Sequence, residues 1–599
     1  MKLRILFCAT LVCPLVLVAG QGQSGTVSAA AASDIPHLRK QGTATQLIVD
    51  GKPFLALAGE LLNSNATSLE YLKPVWPKLV AAKLNTVLAG VSWNQIEPQE
   101  GKFNFSVLDG VIQGARVHNL HLVLLWFGTW KNGLSSYPPD WVKKDFERFP
   151  RTQIVGDKTP WPIFGGPRHE IVGPLSVELL SPFGDATRDA DARAFAAMMR
   201  HLKAVDGQQH TVLMIQVENE VGMQGDTRDR SPVAIQAFEG PVPRELMDYL
   251  QQHKDTLIPE LRKVWEAAGF KTAGTWEEVF GKNRPADEIF MGWNFARYIG
   301  RVIAAGKAEY PIPMFVNCPQ TGFGRERAAG RGVGQGSGPS PDAMDVWRAA
   351  APNIDIISPD VYSPDFAGFC AKATRSGNPL FIPETGGGQK ATAARALYVF
   401  GRHDAIGFSP FAIDRWMGGG ADVVTASDLP GMYEFISRLT PLILKHQGDG
   451  SMSAVLINPG DPPQKIKVGN YTLETAYLFP HSMPATRPAN ETLPPGAAIF
   501  IATGPDEYFM AGSAISAVFT PNTPGPPLAG AGTVEEGTFV NGRWVPGRQL
   551  AGDDTAQGDM VALWGDWKSG GWSGDTTGRG GNMLMRDLSI QRITLYHYR

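Results

Sequence analysis

Between residues 54 and 411 short apolar runs alternate with longer segments that repeat apolar residues every three or four positions. This alternation predicts parallel strands joined by crossover helices, and few folds accommodate it. The runs are Phe54 to Gly59, Leu84 to Val91, His121 to Phe127, Thr211 to Val217, Met314 to Asn317, Ile354 to Ser358, Leu380 to Pro383 and Ala405 to Phe411. Helical patterns between them include Leu69 to Lys83, Val107 to His118, Arg188 to Val205 and Ala391 to Phe400. Eight strand-helix units close a (β/α)8 barrel. A final helical pattern from Met432 to Lys445 ends the series, after which short strands with Gly and Pro turns read as antiparallel β. The expected organisation is a signal peptide over 1–20, a TIM barrel over 34–446 and a C-terminal antiparallel, sandwich-like β domain over 447–599.

Composition narrows the class of partner. With 43% hydrophobic and 19% charged residues the chain buries a large core, which excludes a disordered or coiled-coil protein. A net charge of −3 supplies no positive field for nucleic acid or anionic lipid. Lys2 and Arg4 precede an apolar run from Ile5 to Val18 that ends at Ala19 and Gly20, the layout of a secretory leader. The run is shorter than a bilayer span and contains Pro14. Export to the periplasm or medium is therefore expected, with no membrane insertion after cleavage. Removal of the leader takes Cys8 and Cys13 and leaves Cys318 and Cys370, enough for one disulfide without requiring it. No His or Cys cluster has metal-ligand spacing, His169-Glu170 included, so neither metal nor cofactor is expected.

Two long stretches follow strand C-termini, the end of a barrel that carries its site: Gly128 to Asp185 and Pro319 to Ser340. The second contains GRGVGQGSG, which lacks both the GxGxxG spacing and the Lys-Ser/Thr pair of a phosphate loop, and reads as an active-site loop. The chemistry-bearing residues are acidic. Gln216-Val217-Glu218-Asn219-Glu220 closes the fourth strand, where alternation puts Glu218 and Glu220 on one side, and one of them is expected to reach the barrel mouth. Phe381-Ile382-Pro383-Glu384-Thr385-Gly386-Gly387 ends the seventh strand in a lone glutamate. Fourth and seventh strands face each other across a barrel of eight, and glycosidic hydrolysis needs such a carboxyl pair, one protonating the leaving oxygen and the other attacking the anomeric carbon.

Together with TVLAGVSWNQIEPQEGKFNFS on the second strand and PETGG on the seventh, the QVENE segment resembles glycoside hydrolase family 35, the β-galactosidases of the retaining barrel clan. The resemblance spans roughly residues 45 to 446. It implies Glu220 as general acid/base, Asn219 as donor to the sugar 2-hydroxyl and Glu384 as nucleophile, with Glu218 an inward carboxylate behind them. Two motifs depart from the family pattern: Trp126-Phe127-Gly128-Thr129-Trp130 replaces a Cys-Ala-Glu-Trp type segment after strand three, and Gln95-Ile96 replaces Leu-His before Glu97-Pro98. A divergent bacterial branch that trims plant polysaccharides such as xyloglucan fits these departures.

Further candidates line the expected mouth. Tyr362, neighbouring Glu384 in barrel order, can donate to it or simply pack. Asn94 and Glu97 either wall the cavity or cap the Pro98 turn, and Glu60 follows the first strand. Trp93, Trp126, Trp130 and Trp416 lie at strand ends and can stack on a sugar face, with core packing as the alternative for each. The expected activity is that of an exo-acting retaining β-galactosidase needing only a carbohydrate substrate. Its rivals are a β-glucosidase or α-L-arabinosidase on the same machinery and a non-catalytic carbohydrate-binding protein. The oligomeric state is not legible.

Overall fold

The computed structural model describes residues 35–154, 175–223, 226–282, 284–318, 337–387, 391–416, 428–478, 494–563 and 588–599. The expected leader, His169-Glu170 and most of the glycine-rich stretch lie outside the described residues.

All eight expected barrel strands form. They are β1 (Ala56–Glu60), β2 (Thr86–Ser92), β3 (His121–Lys131), β4 (Val212–Asn219), β5 (Met314–Cys318), β6 (Ile356–Val361), β7 (Phe381–Ile382 continued by Glu384–Thr385) and β8 (Gly407–Phe408). Each pairs in parallel with the next, and β8 returns to β1 through Gly407 opposite Ala56. The break in β7 has a local cause. Pro383 has no N–H to give to a ladder, so Phe381–Ile382 pairs with β8 while Glu384–Thr385 pairs with β6. The principal outer helices are α1 (Trp76–Ala81), α2 (Ser106–Val117), α3 (Asp185–Asp206), α4 (Arg284–Glu309), α5 (Met344–Ala350), α6 (Phe366–Ala373), α7 (Thr392–Arg402) and α8 (Asp428–His446).

Ala58, Leu88, Val123, Phe315, Ile356 and Phe381 fill the barrel from inside, and Leu47 and Val49 join the same apolar cluster. Those two belong to a small antiparallel sheet, His37–Gln41, Ala44–Val49 and Lys52–Phe54, which plugs the end of the barrel away from the strand C-termini. The sequence pattern did not announce it, because a strand buried on both faces loses its alternation. The plug is tied to the far end of the barrel sequence: Gln46 Nε2 donates to the Leu444 carbonyl at 2.8 Å and the Thr43 N–H to the Gly448 carbonyl at 3.0 Å. The backbones meet so closely there that a Cβ on Gly448, whose φ is +74°, would lie 2.6 Å from the Ala44 nitrogen.

After α8 the described residues form ten strands: β9 (Met452–Ile457), β10 (Gln464–Val468), β11 (Tyr471–Tyr477), β12 (Gly496–Gly504), β13 (Glu507–Ser513), β14 (Ile515–Pro521), β15 (Leu528–Val540), β16 (Arg543–Leu550), β17 (Val561–Ala562) and β18 (Ser589–Tyr598). They form a six-stranded sheet, β9-β12-β13-β18-β15-β16, and a four-stranded one, β10-β11-β14-β17. Alternation divides the first sheet's side chains. Val455, Phe500, Tyr508 and Ile593 pack with Leu473 and Phe519 between the sheets, whereas Ala454, Ile499, Ile501 and Ile590 merge with the core of the barrel helices. No helix among the described residues is long and apolar enough to cross a membrane.

Candidate active site

The site is built where β4 ends. Opposite it β3 bulges, so that Trp126 faces Val217 while Lys131 already faces Asn219. The bulge releases the N–H groups of Thr129 and Trp130 from the ladder, and both must find acceptors in the interior. Glu218 supplies them, its Oε1 accepting from Thr129 N at 2.9 Å and its Oε2 from Trp130 N at 2.6 Å. Behind it Asp191 of α3 accepts from Trp126 Nε1 at 2.9 Å and from the Thr129 hydroxyl at 2.7 Å, and Tyr298 of α4 bonds the same hydroxyl. Burial, followed by the negative charge of Asp191, pushes the Glu218 carboxyl well above the usual carboxylate range. Glu218 is thereby an interior post for the β3 bulge.

The expectation that Glu218 and Glu220 share one side is corrected. Glu218 has φ +62° and Glu220 φ +45°, both in the left-handed region that costs a residue with a side chain about 1–3 kcal/mol. Two left-handed residues flanking Asn219 break the alternation, sending Glu218 back toward α3 and leaving Glu220 at the partly open mouth. Asn317 at the end of β5 fixes the second turn: its Oδ1 accepts the Glu220 N–H at 2.9 Å, and its Nδ2 donates to Asp360 Oδ2 at 2.7 Å. Asp360 on β6 stands in register with Glu384. One amide thus ties the backbone of Glu220 to the strand beside Glu384.

The carboxyls at these strand ends act on one another's protonation. Burial, then the charge of Glu384, then that of Glu220 raise Asp360 well above the ordinary range. Glu60, only 2% exposed at the end of β1, is raised by burial first and then by Glu384, with Glu220 and Asp414 adding and Lys131 opposing. Both Glu60 and Asp360 therefore sense Glu220 and Glu384 together. Tyr362, 39% exposed overall, donates its hydroxyl to Glu384 Oε1 at 2.5 Å, and desolvation at that hydroxyl, followed by the charge of the carboxylate, raises the phenol above its usual range. Lys131, 7% exposed, donates to Asn219 Oδ1 at 2.5 Å and lies 4.9 Å from the centre of the Phe127 ring. No group of three or more His, Cys, Asp or Glu among the described residues is arranged to hold a metal, and Cys318 and Cys370 are both free and buried.

Of the candidates, Glu60, Asn219, Glu220, Tyr362 and Glu384 are brought together. The tryptophans are not. Trp93 and Trp130 are fully buried at 0% exposure, each with its indole N–H bonded inside, to Glu97 at 2.8 Å and to the Leu180 carbonyl at 3.1 Å. Trp126 is likewise closed off on Asp191. These three are core and no sugar face reaches them; strand-end position alone does not tell an inner face from an outer one. Trp416 ends the short helix Ile413–Trp416, and its side chain lies outside the described residues. Glu97 proves to be the capping residue of the Pro98 turn, also accepting from Gly101 N at 2.8 Å. Asn94 is exposed on a separate cleft of about 240 Å³ that it shares with Gln95, Asn104 and Leu108. Lys131, Asn317 and Asp360 were missed, although each is a polar residue closing an apolar strand, the signal that identified Glu220 and Glu384.

Gly128 gives a test of the network behind the site. A Cβ there would lie 2.6 Å from Glu218 Oε1 and 2.9 Å from Asp191 Oδ1. Gly128→Ala should destabilise the fold by about 1–3 kcal/mol in urea unfolding, as overpacking of a closed interior does. A change below about 0.5 kcal/mol would show that the two carboxyls have room to part.

Comparison with known proteins gives partial matches. A family model described as β-galactosidase, that of glycoside hydrolase family 42 and not of family 35, matches residues 71–172, and a domain of unknown function, DUF5597, matches 429–562. The first match stops short of Glu220 and Glu384. A β-galactosidase of Xanthomonas manihotis is 28% identical over 220 residues, 36% of this chain and 31% of the relative, so the matched stretch is about a third of that protein. Among solved structures, a β-galactosidase from Bacillus circulans sp. alkalophilus superposes with a TM-score of 0.41 at 16% identity over 65% of this chain and 57% of its own. One from the psychrophilic Marinomonas ef1 gives 0.42 at 13% identity, covering 65% and 60%.

Proposed function

We propose that the chain is a retaining glycoside hydrolase of the β-galactosidase type, removing terminal β-galactosyl residues by double displacement. The observation that supports this reading is the Asn317 amide, which holds the backbone of Glu220 and bonds Asp360, the residue in register with Glu384 on the neighbouring strand. The partial family match and the Xanthomonas manihotis relative support the sugar class.

In this mechanism Glu384 Oε2 attacks the anomeric carbon, since Oε1 holds the Tyr362 hydrogen bond. The carbon–oxygen bond to the aglycone breaks as the new bond forms, and Glu220 delivers a proton to the departing oxygen. Glu220 then takes a proton from water, which adds to the same carbon and frees Glu384. Buried Glu60 and Asp360 read sugar hydroxyls, because a buried polar group left unpaired by a deoxy or epimeric sugar costs binding. The motif likeness to family 35 and the apolar leader extend the proposal to an exported, exo-acting enzyme of plant polysaccharide side chains such as xyloglucan.

Aryl β-galactoside, β-glucoside and α-L-arabinoside should separate by at least about tenfold in kcat/KM, with galactoside first and the first-formed product the β-anomer by NMR. An α-anomer as first product would overturn retention. Sugar binding without turnover on any of the three would leave a carbohydrate-binding protein instead.

A further inference from the structure

We infer that Lys131 is a positioning residue that sets which way the Asn219 amide faces, and that through this amide it controls recognition of one sugar hydroxyl. The inference rests on the proposed reaction. An asparagine side chain has two nearly isosteric orientations, and its surroundings choose between them. Lys131 chooses here. Its ammonium has three donors and no acceptor, stands opposite Asn219 in the β3–β4 register, and meets Oδ1 at 2.5 Å. A flipped amide would point its own N–H at a cation and lose a charge-assisted bond. The backbone offers no freedom to compensate, since the Asn219 carbonyl accepts from Asn132 N at 3.0 Å.

With Oδ1 committed to Lys131, Nδ2 points elsewhere. It is a buried donor with no partner among the described residues, on a residue 1% exposed and adjacent in sequence to Glu220. A buried N–H of this kind calls for an acceptor, and the group that approaches Glu220 during the reaction is the substrate. Lys131 commits one N–H to Asn219 Oδ1 and packs on Phe127, and the variants below separate a route through the amide from direct contact with the sugar.

The test compares wild type and Lys131→Met on aryl β-galactoside and on its 2-, 3-, 4- and 6-deoxy analogues. The expected result is a loss of about 10- to 100-fold in kcat/KM on the parent and little loss on one analogue, the 2-deoxy compound, whose missing hydroxyl leaves the amide nothing to recognise. Asn219→Ala should give the same pattern, and the double variant should be no worse than Asn219→Ala. This cycle also covers the case in which Lys131→Met alone folds poorly, because Asn219→Ala together with Lys131→Arg, which retains a donor and should keep the discrimination, tests the same link. Equal losses on every analogue would overturn the inference in favour of a general electrostatic role. Collapse at another hydroxyl, with Asn219→Ala unlike Lys131→Met, would overturn it in favour of direct contact. A wild type inert on all aryl glycosides would bring down the proposed reaction and this inference together, whereas an active wild type with undisturbed discrimination in Lys131→Met would bring down this inference alone.

Discussion

Glu384→Gln should lose turnover of aryl β-galactoside by a factor on the order of 10^4 to 10^6, the scale on which removing a covalent nucleophile acts. The substitution keeps an oxygen for the Tyr362 hydroxyl and removes a charge that raises the carboxyls of Glu60 and Asp360. The fold should therefore survive, and thermal unfolding of the variant should match wild type within a few degrees. Binding of a galactose-like inhibitor should persist while kcat collapses. Residual activity above a tenth of wild type would remove Glu384 from the reaction.

Glu220→Ala should behave differently. Loss of the general acid should cost about 10^2- to 10^4-fold on substrates with poor leaving groups and far less on activated aryl glycosides, which need no proton to depart. On the activated substrates water loses its base, so the glycosyl-enzyme should accumulate as a burst, and azide should restore turnover with a β-glycosyl azide as product. The alkaline limb of the kcat/KM profile, which reports ionisation of the acid, should flatten. Equal losses across leaving groups, with no response to azide, would show that Glu220 only shapes the cavity. The contrast between the two variants is more diagnostic than either loss alone, because a merely structural carboxyl would not sort substrates by their leaving group.

Much of this was legible because barrels repeat. Eight apolar runs mapped onto eight strands, and a strand end is where a barrel keeps its functional side chains, so position pointed to Glu384 and to the Glu218 and Glu220 pair, while the choice of Glu220 came from the family likeness. The limits were equally physical. Period-2 reading assumes extended backbone, and the left-handed turns at residues 218 and 220 cancelled it where it mattered most. The tryptophans failed for a related reason: the β3 bulge carries Trp130 into the interior against Phe295 and Tyr298, and nothing in a string of residue types announces a bulge. Lys131 was passed over because a charged side chain at the end of an apolar run reads as solvated, whereas here it is enclosed by the amide it holds. Asn317 and Asp360 matter through each other, and a pair of that kind becomes visible only after β5 and β6 are laid side by side.

The stopper at the closed end of the barrel has a bearing on how the polypeptide reaches its final form. Gln46 and Leu444 are joined at a sequence separation of 398, and the loop entropy of so distant a junction is recovered only when nearly the whole barrel has been assembled. The first strands off the ribosome must therefore wait, unsatisfied, for the last helix. Trimming either terminus of the barrel would loosen the other, as removing one end of a drawstring slackens the whole mouth.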